Sequence, residues 1–370
     1  MIEAAVPAAA DGIVQPAQRR RERASDLVED HTELPMTSTA TRSINWPHGV
    51  ACLLVAVTAV LLCFGALVTT FDAAMAVPDW PATYGHNMFL FPLAEWLYGP
   101  WDLFLEHGHR LLGALVGLIS LLLAAVVWRT CPSPAVRALA AAAVLLVVVQ
   151  GALGGARVLL DDKTVAKVHA CTGPLFFAVA VAVATLTRRD SGRSHARPSG
   201  SSAASRIAAG LALASYVQLV AGAQLRHLDA AVDPVTFRWL VAFHLAGAAA
   251  VAALAIAAVI GGRTTGQLAA RRWSLAIVLL VGCQLALGVG AWVVNWGLPS
   301  GWLPESWRFS DPLVARSLWG ATVVTGHVVL GMMILGGAVV LAIVSGVLAP
   351  AEVAPSAAHA DDGAGKRAFA

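Results

Sequence analysis

The chain has 370 residues, of which 58% are hydrophobic and 13% are charged, and its formal net charge is +3. Soluble domains are roughly 45–50% apolar and about 25% charged. A soluble core this apolar would leave too little polar surface to cover it, so the composition excludes an ordinary soluble protein and predicts a polytopic membrane protein. Five scattered cysteines without a CxxC pair argue against a disulfide framework or a zinc site.

Eight apolar stretches are long enough to cross a membrane, because a hydrocarbon core of about 30 Å takes ~20 helical residues. The stretches are continuous rather than alternating, and lipid offers no partner to an unpaired backbone group, so we predict helices rather than a barrel. In chain order the predicted spans are Val50–Thr70, His109–Trp128, Val136–Leu159, Val165–Leu186, Ile207–Leu225, Trp239–Ile260, Trp273–Trp296 and Leu318–Leu348.

Basic residues collect on one side of these predicted spans. They occur in the N-terminal tail, after the fourth span and after the sixth, whereas residues 71–108 contain no Lys or Arg. Because basic loops remain on the cytoplasmic side, we expect both termini to be cytoplasmic and residues 71–108 to lie outside. Many prolines and aromatic residues occur in this outer loop, which is therefore either a membrane-interface belt or a lid over a pocket.

The spans fall into two sets of four, and a Gln-x-Ala-Leu-Gly segment recurs at Gln150 in the third span and at Gln284 in the seventh. We therefore predict an all-α membrane protein of eight transmembrane helices, arranged as two pseudo-symmetric four-helix bundles. The predicted organisation is a disordered cytoplasmic tail (1–48), a first four-helix half (49–189), a cytoplasmic linker (190–205), a second four-helix half (206–348) and a disordered tail (349–370).

Four histidines, His109, His169, His244 and His327, lie in the even-numbered spans, all of which start from the outer side. An ionisable residue inside a membrane is by default a functional hypothesis, and neutral imidazole is a common ligand of haem iron. Two histidines per half can therefore reach opposite faces of one planar ligand. The alternative is that each histidine only bonds a neighbouring carbonyl or hydroxyl. A glycine follows each histidine about one turn later, at Gly113, Gly173, Gly247 and Gly331.

An acidic residue, Glu106, precedes His109 by three positions, so the two share a helix face. Its carboxylate could hold a proton, a cation or a reaction intermediate, or it could only cap the helix N-terminus, worth about 0.3–1 kcal/mol. Arg110 is expected to pair with Glu106 or with a haem propionate. His107 points to another side of the helix and is expected to be interfacial.

These motifs resemble those of the haem A synthases, membrane enzymes that convert haem O to haem A. The resemblance runs from about Val50 to Leu348 and includes an E-x-x-H-R signature at the second span. It also includes Gln-Gly followed by Gly-Gly-x-Arg-Val in the third span, single histidines in spans four, six and eight, and an outer Pro-Asp-Trp-Pro. The matching residues are Glu106, His109, Arg110, Gln150, Gly151, Gly154, Gly155, Arg157, Val158, His169, His244, His327, Pro78, Asp79, Trp80 and Pro81.

The resemblance implies a division of labour between the halves. The first half would hold the substrate haem O near His109 and His169, with Glu106 as the essential carboxylate. The second half would hold a haem b between His244 and His327 and carry electrons. All four histidines would be axial ligands of haem iron, and Arg110 would bind the cofactor. The reaction would oxidise a methyl group of haem O to a formyl group by successive hydroxylations.

The resemblance further implies the bacterial cytoplasmic membrane, with haem sites toward the outer side. The expected partners are haem O as substrate, a haem O synthase, a haem-copper oxidase that receives the product, and membrane lipid; a homo-oligomer stays open, and no nucleic acid is expected. The alternative function is a diheme b-type cytochrome that carries electrons to or from quinol and has no need of Glu106. A transporter ranks last, because few other intramembrane charges are present.

One departure from the family pattern concerns the first outer loop. Many bacterial members carry a cysteine pair that flanks Pro-Asp-Trp-Pro, whereas here Val77 and Thr83 occupy those positions. No thiol pair is therefore available at this loop for transfer of electrons or for a regulatory disulfide.

Overall fold

The computed structural model describes residues 44–188, 202–228, 231–264, 267–297 and 317–347. In these ranges the chain forms nine α-helices and a short 3₁₀-helix at Met88–Leu90. The α-helices are α1 Trp46–Thr70, α2 Leu93–Tyr98, α3 Trp101–Thr130, α4 Pro134–Leu160, α5 Lys163–Leu186, α6 Ser202–Arg226, α7 Pro234–Thr264, α8 Leu268–Trp296 and α9 Leu318–Val344. Most of the two predicted tails and of the predicted linker lies outside the described residues.

All of these helices except α2 are long and apolar enough to cross a membrane, which confirms the prediction of eight candidate spans. The largest difference from the predicted boundaries is at α3, which begins at Trp101 rather than at His109. A search for apolar stretches misses this first part of α3, because Asp102, Glu106 and His107 lower the mean hydropathy of the segment. Each of the four predicted ligand histidines consequently lies roughly two to three turns inside its helix.

Local capping signals explain where several of these helices begin. Asp162 precedes α5 and its carboxylate accepts hydrogen bonds from the backbone N–H groups of Thr164 (2.6 Å) and Val165 (2.9 Å). These hydrogen bonds hold the pKa of Asp162 below its ordinary value. Ser133 caps α4 directly before a proline at the first helical position, and Ser317 caps α9.

The membrane helices pack in two sets of four. In the first set, α1 packs against α3 and α5, and α4 packs against the same two helices; in the second set, α6 and α8 each pack against α7 and α9. Each set has its own buried apolar core, one shared by α1, α3, α4 and α5 and the other by α6 to α9. Helices α3 and α5 therefore face each other across the first set, as α7 and α9 do across the second.

Helix α9 joins the two sets. It packs against α5 and α1 as well as against its own neighbours. In its most apolar stretch 56% of the residues are buried inside the protein, against 17–39% in the other seven spans. Glycines allow this close packing, since a Cβ at Gly336 would lie 3.0 Å from the Phe177 ring of α5.

Candidate functional site

The four predicted histidines meet as two facing pairs. The ring centroids of His109 on α3 and His169 on α5 are 6.5 Å apart, with an interplanar angle of 80°. Those of His244 on α7 and His327 on α9 are 6.4 Å apart at 66°. Two imidazole nitrogens that each lie about 2 Å from one metal ion place the ring centroids roughly 6 Å apart. Each pair is therefore spaced as two axial ligands of a single iron.

The hydrogen bonding around these rings also fits haem ligation. His327 Nδ1 lies 3.2 Å from the backbone carbonyl of Gln284, and a proton on this nitrogen leaves Nε2 free for a metal. The Nδ1 atoms of His109 and His169 are buried inside the protein. Among the described residues, no three His, Cys, Asp or Glu side chains gather into a metal-ion cage. Two histidines without further protein ligands suit haem, whose ring supplies the remaining ligands.

Each histidine ring packs against a glycine of the neighbouring helix. A Cβ at these glycines would lie 2.9–3.4 Å from the imidazole Cε1, which is closer than side chains normally approach. The contacts are Gly65 with His109, Gly154 with His169, Gly222 with His244 and Gly288 with His327. Gly154 and Gly288 belong to the recurring Gln-x-Ala-Leu-Gly segments, whereas Gly65 and Gly222 carry no such signal in the sequence, because contacts between helices depend on how each helix is rotated.

Glutamine side chains occupy the space next to three of the four histidines. The Gln218 amide donates a hydrogen bond to the His244 carbonyl at 2.8 Å, and the Gln150 amide donates one to the His169 carbonyl at 3.2 Å. The side-chain oxygens of Gln150, Gln218 and Gln284 are buried without a partner. These glutamines hold adjacent helices together at the level of the histidines.

The second-span motif holds the outer loop in place. Glu106 is buried, and its carboxylate accepts hydrogen bonds from Arg110 Nη2 at 2.7 Å and from the backbone N–H of Val77 at 3.1 Å. The Arg110 guanidinium also donates to the carbonyls of Val77 (2.7 Å), Asp79 (2.7 Å) and Ala82 (3.0 Å). Arg110 thus binds three carbonyls of the Pro-Asp-Trp-Pro loop and the predicted catalytic carboxylate at once.

The expectation that His107 is interfacial is wrong, because the loop covers it. The exposed fraction of His107 is 1%, and its Nδ1 atom lies 3.0 Å from the Thr83 hydroxyl. Val77 and Thr83, the positions of the absent cysteine pair, are both fully buried. Each therefore fastens one end of the loop segment to α3, Val77 through Glu106 and Thr83 through His107.

A tight turn shapes the rest of this loop. Tyr84 and Gly85 have φ values of 50° and 78°, a region that glycine adopts readily. The Asp79 carboxylate accepts hydrogen bonds from their N–H groups at 2.9 and 2.8 Å. Although burial alone would raise the pKa of Asp79, these bonds hold it below its ordinary value. The loop is therefore an ordered cover over α3, and the Trp80 ring lies so close to Gly155 that a Cβ there would overlap it.

A second arginine of the third-span motif lies close to this cover. Arg157 is partly buried near the C-terminal end of α4, three residues past the glycine that faces His169. It interacts electrostatically with Glu106 and with Arg110.

Comparisons with known proteins agree with the motifs. A family model described as cytochrome oxidase assembly protein, COX15-CtaA, matches residues 100–245. The chain is also similar to the heme A synthase of Shouchella clausii (strain KSM-K16), with 31% identity over 170 residues. This alignment covers 45% of the present chain and 54% of the relative, so the chain spans about half the length of the relative that it matches.

These findings confirm the resemblance that the sequence motifs indicated, and they identify a multi-pass membrane protein. The matched segment contains Glu106, His109, His169 and His244. Over these residues the chain is similar to the COX15-CtaA family of cytochrome oxidase assembly proteins.

Proposed function

We propose that this protein is a haem A synthase, which oxidises a methyl group of haem O to the formyl group of haem A by successive hydroxylations. The observation that carries the proposal is the difference between the two facing histidine pairs. A buried carboxylate, Glu106, lies three residues from His109 in the first pair. Helices α6 to α9, which supply the second pair, contain no Asp or Glu. The first histidine pair is therefore suited to catalysis, and the second pair is suited to electron transfer.

In this proposal the protein side chains bind, orient and cover the reacting haem. His109 and His169 hold haem O, while Arg110 positions Glu106 and closes the loop above it, which keeps water from the site. Glu106 is a fixed negative charge that stabilises a positively charged intermediate or accepts a proton. His244 and His327 would hold haem b, which supplies electron transfer when bound.

The wider arrangement follows from the same proposal. The two sets of helices form halves at 49–189 and 206–348, related by a pseudo-two-fold axis along the membrane normal. Both termini are cytoplasmic, and the histidine pairs lie toward the outer side of the bacterial cytoplasmic membrane. Haem O reaches the first half from the lipid or from a haem O synthase, and haem A leaves for a haem-copper oxidase.

The test is haem extraction, chromatography and mass analysis of cells that make haem O, with and without this protein. We expect haem A, or its hydroxylated precursor, only when the protein is present. If the purified protein contains haem B and leaves haem O unconverted, the proposed activity is wrong and a diheme b-type cytochrome is favoured.

Variants of Glu106 test its role in the same cells. We expect Glu106→Ala to abolish haem A formation and to leave the spectrum of the second-half b haem unchanged. Glu106→Gln removes the charge but keeps one of the two acceptor oxygens, so it can still accept a hydrogen bond from either Arg110 or Val77 and shows whether the charge itself is required. Glu95→Gln, an exposed position of the same loop, is the matched control. Full activity of Glu106→Ala would exclude a catalytic role for this carboxylate.

A further inference from the structure

Each helix that carries one of the four histidines packs against a neighbouring helix whose glycine contacts the histidine ring, and three of these four helix pairs share one arrangement of side chains. On the helix without the histidine, a glutamine lies four residues before the glycine that contacts the histidine ring. On the histidine helix, the glycine about one turn after the histidine faces that glutamine. The contacts are Gln150 with Gly173, Gln218 with Gly247 and Gln284 with Gly331. Each glutamine thereby fills the space beside its histidine.

The pair formed by α1 and α3 departs from this arrangement. Leu61, an apolar residue, lies four positions before Gly65 where the other pairs have glutamine. Gly113, which follows His109 by four residues, has open space beside it, because no heavy atom lies within 4 Å of the position of a Cβ. The position that glutamine holds in the other three pairs is therefore apolar in this pair, and the space beside the glycine is open.

The position of this open space relative to the charged groups indicates which part of a haem it faces. Arg110, Glu106 and the loop lie at the N-terminal end of α3, whereas Gly113 lies one turn further along the helix beyond His109. A haem carries its propionates on one edge and apolar substituents on the opposite edge. Cations attract the propionates to the loop end, so the apolar edge of a ring held by His109 faces the turn of Gly113.

We propose that Leu61 and Gly113 form a notch that receives the long isoprenoid chain of haem O, and that this notch selects haem O over haem B in the first half. Haem B lacks that chain. In the second half, Gln218 and Gln284 fill both equivalent spaces, which leaves room for haem B alone. This inference rests on the proposed function, because it takes haem O to be the substrate.

The test compares haem bound to the full-length protein purified from cells that make both haem B and haem O. We expect Gly113→Leu to lower bound haem O, counted together with its oxidised products, at least about tenfold relative to haem B. Gly151→Leu is the matched control, because Gly151 also has open space beside it but is exposed on the outside of α4. Leu61→Gln, which restores the arrangement of the other pairs, should act like Gly113→Leu.

The second-half haem reports whether each variant is folded. If Gly113→Leu retains the low-spin b spectrum and its ratio of haem O to haem B equals that of the wild type, the notch proposal is wrong. If Gly113→Leu loses the b spectrum as well, the same ratio is measured for Gly113→Ala and Leu61→Gln. A lowered ratio of haem O to haem B in these variants supports the notch, and a ratio equal to that of the wild type contradicts it. If the wild-type protein binds no haem O, the proposed function itself is wrong. If the wild type binds haem O and the variants bind as much of it as the wild type does, only the notch proposal is wrong.

Discussion

Single glycines set how the histidines approach their ligand. Gly65, Gly154, Gly222 and Gly288 lie against the imidazole rings, where a Cβ would come within 2.9–3.4 Å of the ring. The ring-to-ring spacing, which suits two ligands of one iron, therefore depends on neighbouring residues that are not predicted ligands. Close packing of this kind is costly to disturb, because the backbone of a neighbouring helix cannot move aside easily.

The substitution Gly288→Ala tests this point at the second pair. A Cβ there would lie 3.1 Å from His327 Cε1, so we expect displacement of the ring to weaken b haem binding by about 5- to 150-fold, from roughly 1–3 kcal/mol of overpacking. The measurement is the haem b content and low-spin spectrum of the purified protein. Gly282→Ala in the same helix is the control, since Gly282 has open space beside it. Equal haem content in the two variants would contradict the prediction.

At the scale of elements, the outer loop is closed by polar side chains of α3. Arg110 reaches three loop carbonyls, Glu106 accepts the Val77 N–H, and His107 contacts the Thr83 hydroxyl. Where many relatives are expected to have a cysteine pair, this chain has two buried residues tied to α3 by hydrogen bonds. The loop is therefore ordered without a disulfide, and its closure depends on α3.

The substitution Arg110→Lys tests how the loop is held. A lysine ammonium is a single point of charge and does not reproduce the planar donors that reach several carbonyls, so we expect the loop to open more often. Hydrogen exchange of the amides in residues 77–84 should accelerate about tenfold or more, which corresponds to roughly 1.4 kcal/mol. Arg129→Lys, an exposed position in the last turn of α3, is the control. Unchanged exchange would mean that Arg110 is dispensable for loop closure.

At the scale of the whole molecule, polar contacts add to the packing of α9 between the two sets of helices. Arg226 at the end of α6 donates hydrogen bonds to the Ala66 carbonyl at 2.7 Å and to the Thr70 hydroxyl at 2.6 Å, both on α1. The Thr70 hydroxyl lies 3.4 Å from that of Thr325 on α9. A charged group placed between helices in this way is expected to couple the stability of the two sets.

Removal of the Arg226 charge tests this coupling. We expect Arg226→Met to destabilise the detergent-solubilised protein by about 1.5–3 kcal/mol, the usual worth of hydrogen bonds to a charged group, and to lower its thermal midpoint. Arg238→Met, at an exposed position of α7, should leave the midpoint unchanged. A midpoint for Arg226→Met equal to that of the wild type would show that helix packing alone joins the sets.

The sequence by itself determined the eight spans and the four histidines, and its motifs indicated the resemblance to the haem A synthases. Long apolar runs are unambiguous because lipid excludes unpaired backbone polar groups, and an ionisable residue in such a run stands out by composition alone. The sequence also predicts that Glu106 and His109 share a helix face, because they are three residues apart. It did not predict that Arg110 and Glu106 hold the outer loop.

Only the tertiary structure decided which residues of different helices meet. The contacts of Gly65 with His109 and of His107 with Thr83, and the open space beside Gly113, depend on the rotation of each helix about its axis. In a membrane the apolar surface around a helix is nearly uniform, so hydrophobic periodicity says little about that rotation, and the packing of small residues and polar contacts sets it instead.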